Sequence, residues 1–160
     1  MMEYSVSQTG TVIASGTVVY VNPAAAPLPN LEFMRFWMGQ NSTATSAQLG
    51  ALIYTQVTTF PTVVSATPAK LKRAGPVSSI AGGIAGAAGT SGVFATVEGG
   101  GAKTTVFTEG FNNLNGYLWV ATPREVLVMP AGSASAVGLQ IVGTPSALTG
   151  WFAGANYAEV

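Results

Sequence analysis

The chain has no histidine, no cysteine and no aspartate, and only 8% of its 160 residues are charged. Each absence excludes a class of chemistry. Without histidine there is no imidazole base, no Ser-His-Asp triad and no His-metal site. Without cysteine there is no disulfide framework, no thiolate nucleophile and no zinc knot. Without aspartate, the acids are the six glutamates Glu3, Glu32, Glu98, Glu109, Glu125 and Glu159. They are scattered outside any local motif. A pair of them facing one cleft, as in glycoside hydrolysis, is the one enzymatic arrangement the composition still permits, and a non-enzymatic protein is the expectation. The glutamates are balanced by Arg35, Lys70, Lys72, Arg73, Lys103 and Arg124, giving a formal net charge of zero. Freely diffusing proteins usually keep their charge away from zero and spread it over the surface. A neutral chain that is 48% hydrophobic points instead to a surface covered in an assembly.

What is present reads as β-structure. No helical period runs long enough to build a layer of helices. Short apolar runs rich in β-branched residues recur between Gly, Pro, Asn and Ser. The first, Thr11–Val21, is broken by Gly16 and fits a hairpin or bulged strand. The prolines in Asn22–Asn30 make an extended spacer. Leu31–Met38 alternates Leu31, Phe33, Arg35 and Trp37 with Glu32, Met34, Phe36 and Met38, so neither face is polar and both sides are expected to be packed. Thr45–Gln48 resembles a capping box, but Leu49, Ala51, Ile53, Thr55 and Val57 alternate and Gly50 weakens a helix, which favours a strand. Pro61 and Pro68 bracket another strand. Further strands are expected at Thr104–Thr108, Tyr117–Ala121, Val126–Met129, Ala136–Val142 and Trp151–Tyr157. The expected fold is an all-β, single-domain antiparallel sandwich, jelly-roll-like, over residues 31–160. Residues 1–30 would be an N-terminal strand or arm and a Pro-rich spacer, and the Gly-rich segment 80–102 a loop outside the core.

Five local features bear on function. Ile80–Val97 is uncharged and carries Gly82 and Gly86 at GxxxG spacing, but its Gly and Ala content gives too little hydrophobic drive for a membrane span. The start, Met1-Met2-Glu3-Tyr4-Ser5, lacks the basic and apolar regions of a secretory signal. Glu98–Thr105 superficially resembles a phosphate loop, yet Ala102 stands where glycine is needed before the lysine, and a hairpin turn is the expectation. The cluster Lys70-Leu71-Lys72-Arg73 suits an acidic protein surface better than nucleic acid, given the neutral total charge. Trp37, Trp119 and Trp151 are expected in the core. Alternation puts Tyr117 and Trp119 on one face, as core, interface anchor or sugar platform.

The runs Arg35–Gln40 (RFWMGQ), Ala66–Lys72 (ATPAKLK), Gly82–Gly89 (GGIAGAAG), Phe111–Pro123 (FNNLNGYLWVATP) and Leu148–Trp151 (LTGW) resemble small proteins encoded among the structural genes of tailed bacteriophages. The resemblance implies a virion structural protein, foremost a capsid cement or decoration protein on the capsid exterior, made in the host bacterial cytoplasm. Its partners would be the major capsid protein and further copies of itself, as dimer or trimer, with no cofactor, metal, nucleic acid or membrane. Residues set apart for partner contact are Glu3, Tyr4, Lys70, Lys72, Arg73, Ile84, Phe94, Tyr117 and Trp119. The alternative is a tail-fibre or base-plate jelly roll that binds host glycan through Tyr117 and Trp119.

Overall fold

The computed structural model describes residues 1–23, 29–84 and 86–160. The spacer's residues 24–28 and Ala85 of the Gly-rich segment lie outside the described residues. Thirteen strands follow one another: β1 Met2–Gly10, β2 Thr17–Asn22, β3 Leu31–Gln40, β4 Gln48–Gln56, β5 Thr62–Ser65, β6 Ala69–Lys70, β7 Ala81–Gly82, β8 Thr90–Val97, β9 Lys103–Asn112, β10 Tyr117–Val120, β11 Leu127–Met129, β12 Ala136–Val142 and β13 Trp151–Glu159. No helix occurs among the described residues. The strands form two sheets. Sheet A runs β10-β3-β13-β1-β6, with β11 also on β3, and sheet B runs β5-β8-β2-β12-β4-β9, with β7 on β8. All pairings are antiparallel except the short β7–β8 ladder. The protein is therefore a β-sandwich, with one large apolar cluster drawn from both sheets between them.

The strands read from residue patterns at β3, β4, β5 and β9 to β13 are present. Three expectations are corrected. Met1–Gly10 is not an arm: β1 pairs along its whole length with β13 and also with β6. Its alternation is Tyr4 and Val6 inward, both 0% exposed, against Glu3, Ser5 and Ser7 outward, and nine residues of β13 depend on it for partners. The Gly-rich segment is not a loop outside the core, because it holds β7 and β8, and Val93, Phe94 and Ala95 are buried. Here glycine serves close approach: a side chain on Gly92 would collide with Val63 on the neighbouring strand. Thr11–Val21 is neither hairpin nor continuous strand. β2 begins only at Thr17, after a turn with Ser15 at φ 52°, and it lies in the other sheet from β1.

Two bulges decide which side chains reach the core. On β3 the register with β13 passes from Arg35↔Asn156 to Phe33↔Tyr157, which leaves Met34 unpaired. The extra residue resets the alternation. Leu31 and Phe33 point inward before it and Phe36 and Met38 after it, with the Phe33 and Phe36 rings stacked at 5.3 Å. On β8 the register with β5 passes from Val93↔Val64 to Ala95↔Val63, leaving Phe94 unpaired. Phe94 has φ 47° and turns into the main core against Gly10.

Burial of the tyrosines gives the fold a pH dependence at the alkaline end. Desolvation, helped by the nearby Glu109 charge, pushes Tyr117 up from 10.0 to about 12, and desolvation pushes Tyr20, Tyr54 and Tyr157 further. A raised phenol pKa means that above pH 10 the unfolded chain loses protons that the folded one keeps, so stability falls as pH rises. The contribution is whole below pH 10 and lost through the folded-state values. The denaturation midpoint is therefore expected to drop steadily above about pH 10. A midpoint unchanged up to pH 12 would show the phenols to be solvated in the folded state.

Candidate functional site

The two outer faces of the sandwich differ. On sheet B the two outward tyrosines are covered by the protein itself, while Val64, Val97, Val106 and Val142 on its strands are exposed. Tyr20 packs on Phe60 at 5.8 Å within a second small cluster that includes Val63, Ala95 and Ala136. Tyr54 is also fully buried, and a polar clasp closes over it. Glu98 accepts from the Thr17 amide at 2.7 Å and from Thr17 Oγ1 at 2.6 Å, and pairs with Lys103 Nζ. Lys103 also donates to Gln140 Oε1 at 3.0 Å and sits 4.3 Å from the centre of the Tyr54 ring. Since Thr17 gives its only hydroxyl proton to Glu98, the Tyr54 hydroxyl donates to Thr17 Oγ1 at 2.7 Å.

The segment around Glu98 is thus a structural connection with its lysine already engaged. The expected hairpin is corrected: β8 and β9 are not neighbours, and the glycines cross sheet B between them. Gly99 and Gly101 lie against the backbone of Thr59 and Thr58, where no side chain would fit.

Sheet A leaves larger apolar side chains open on its outer side. Register fixes which residues share that face. Leu118 lies beside Trp37, Gly154 and Ser7 in one row. Val120 lies beside Arg35, Asn156 and Ser5 in the next, and Val128 beside Glu32, Ala158 and Glu3 in the last. At the other end Phe152 lies beside Gly39 and Thr9. Leu118 is 60% exposed, Val120 52%, Val128 45% and Phe152 40%. The two rings lie over glycines: the Trp37 indole over Gly154 and the Phe152 ring over Gly39. Outward faces of antiparallel sandwiches are normally polar, so this apolar strip is the surface feature that calls for a partner.

A shallow groove of about 410 Å³ opens on the same face, lined by Glu3, Met34, Arg35, Leu71, Val120 and Asn156 among others. Asn156 Oδ1 is buried there without a hydrogen-bond partner. Glu3 is the only carboxylate in the lining and is paired with Lys72 at 3.7 Å. Among the described residues no group of three or more acids is placed to hold a metal ion, and no helix is long and apolar enough to cross a membrane.

The sequence-predicted contact residues do not gather into one site. Tyr4 is in the core, its hydroxyl donating to Pro76 O at 3.2 Å, and Phe94 is buried as well, so neither meets a partner in the folded chain. Tyr117 and Trp119 do share a face, but it is the inner one. Tyr117 packs on Phe111 at 5.9 Å, and Trp119 packs on Phe36 at 5.8 Å and Phe107 at 5.2 Å. They form no sugar platform. Lys70 donates to Gly75 O at 2.7 Å and Lys72 is held by Glu3, which leaves Arg73 as the member of the cluster with no partner among the described residues. Ile84 is exposed at 61%. Trp151 and Trp119 join the core as expected, whereas Trp37 lies on the outer face. The residues overlooked, Leu118, Val120, Val128 and Phe152, are the alternates of recognised inward positions. Because β10 is apolar on both sides, alternation alone does not tell which side is out.

Against models of known protein families, curated proteins and solved structures, the chain shows no match.

Proposed function

We propose that the protein is a non-enzymatic structural component of a virion, a capsid cement protein that binds the outside of the coat lattice and stabilises the head. The observation that carries this reading is a well-packed β-sandwich that still displays large apolar side chains on its surface, with few charges to keep it apart from neighbours. That surface belongs to a protein that works inside an assembly. The phage context comes from the sequence resemblance. The geometry supports the non-enzymatic part: the groove offers a single, already paired carboxylate, and the clasp on sheet B spends Glu98 and Lys103 on holding strands together. A prefolded β core keeps the entropy cost of docking low, and repetition over a lattice multiplies modest contacts. Ile84 and Arg73 are the surviving sequence candidates for touching the coat.

The test is stoichiometry in purified particles of the source phage, by quantitative mass spectrometry. A copy number that scales with the coat protein is the expected result. A handful of copies, as at a tail tip, or none at all would overturn the assignment.

A further inference from the structure

We propose that the outer face of sheet A is an isologous interface between two copies of this chain. Three observations converge on a second copy as the occupant. The first is the contrast between the two outer faces. The protein covers the two outward tyrosines of sheet B, Tyr20 and Tyr54, with Phe60 and the Glu98–Lys103 clasp and leaves only valines exposed on that sheet's strands, whereas on sheet A the larger Leu118 and Phe152 stand open together with Val120 and Val128.

The second observation is charge. Glu32 and Arg35 both point outward on β3, on either side of the bulged Met34, and neither forms an ion pair among the described residues. One unpaired charge of each sign beside an apolar strip is complementary to itself. A two-fold axis that crosses β3 at Met34 reverses the strand, so Glu32 of each copy faces Arg35 of the other, and the pair forms twice. A partner surface of one sign would satisfy only half of this. Reciprocal contacts of this kind are what a two-fold interface requires.

The third is shape. Between Leu118 and Phe152 the face is low in relief, because Gly154, Gly39 and Ser7 are small and the Trp37 and Phe152 rings lie along the sheet over glycines. Two such faces can approach to the ordinary separation of packed sheets, about 10 Å. The other extended surface, the free edge of β9, is a poorer template. Its register with β4 passes from Phe107↔Ile53 to Thr105↔Tyr54, leaving Val106 as a bulge in the middle of the edge, and bulges of this kind discourage edge pairing.

The inference does not rest on the virion context, and its test is separate. The full chain should sediment as a dimer. Glu32→Arg and Arg35→Glu should each weaken the dimer by about tenfold or more through like-charge contacts, and the two together should restore it, since the swapped pair is again reciprocal. Leu118→Glu should give a folded monomer whose thermal midpoint equals that of the wild type diluted below its dimer dissociation constant, because the exposed side chain carries little of the chain's own packing. A monomeric or trimeric wild type, a double variant as weak as the single ones, or a dimer indifferent to Leu118→Glu would each overturn the proposal. A dimer that never appears in particles would leave this inference standing and remove the functional reading instead.

Discussion

Removing Met1–Gly10 is expected to leave a chain without a cooperative unfolding transition. β1 sits inside sheet A between β13 and β6, so the truncation opens the long inner edge of β13 and strands β6. It also takes Tyr4 and Val6 out of the core, Tyr4 being in contact with the Tyr157 ring at 5.7 Å. Fully burying side chains of this size contributes about 1.5–3 kcal/mol each. The cavity left behind and the unsatisfied backbone of β13 add to the loss. Against a total stability of about 5–15 kcal/mol for a domain, that loss is disabling. Tyr4→Ala alone should cost about 3–5 kcal/mol, as large aromatic truncations in cores do, while Ser5→Ala on the outer face should stay within about 0.5 kcal/mol. Chemical denaturation followed by tryptophan fluorescence separates these outcomes. A truncated chain with the wild-type midpoint would mean that β1 is a detachable arm after all.

Phe36→Ala is expected to cost about 3–5 kcal/mol, while deleting Met34, two residues away, should cost far less. Phe36 is 0% exposed and its ring packs on those of Phe33 and Trp119. Strand alternation has a period of two residues, and the bulge at Met34 is what lets Leu31 and Phe33 on one side, and Phe36 and Met38 on the other, face the same core although one extra residue lies between them. Without Met34, Phe33 and Arg35 become consecutive and still match Tyr157 and Asn156, so both pairs stay inward. The deletion removes a local kink and no core side chain, with an expected loss of about 1 kcal/mol. Chemical denaturation separates the two variants, and a deletion variant as unstable as Phe36→Ala would show that β3 needs the extra residue to hold its register.

The strands differ in how legible they are in the sequence. β12 is bounded where its apolar run is, because every residue from Ala136 to Ile141 except Gln140 is buried. The strand choice over the capping-box pattern before β4 holds for the same reason: Leu49, Ala51 and Ile53 alternate into the core. β1 escaped because Glu3, Ser5, Ser7 and Gln8 dilute its hydrophobicity. The alternation of Tyr4 and Val6 was present, but nothing local indicates that β13, at the far end of the chain, pairs with it. β8 is hidden in the sequence because glycine and serine are loop signals, whereas Gly92 serves the close approach of β5. The clasp on sheet B was invisible: Thr17 meets Glu98 across 81 residues, and only the tertiary fold brings them together. For the candidate interface the difficulty lay in direction. Tyr117 with Trp119 and Leu118 with Val120 are equally apolar pairs, and which of them faces solvent depends on where sheet B lies.

Because the chain has no cysteine, a single introduced thiol reports on the interface without interference. Met34 lies where the two-fold axis is placed. A bifunctional maleimide whose span matches the separation of packed sheets, about 10 Å, should therefore convert Met34→Cys to a covalent dimer, while Val142→Cys, exposed on the opposite side of the sandwich, should remain monomeric on a denaturing gel. Equal cross-linking at both positions, or none at Met34→Cys, would contradict the claim that this protein assembles through the outer face of sheet A.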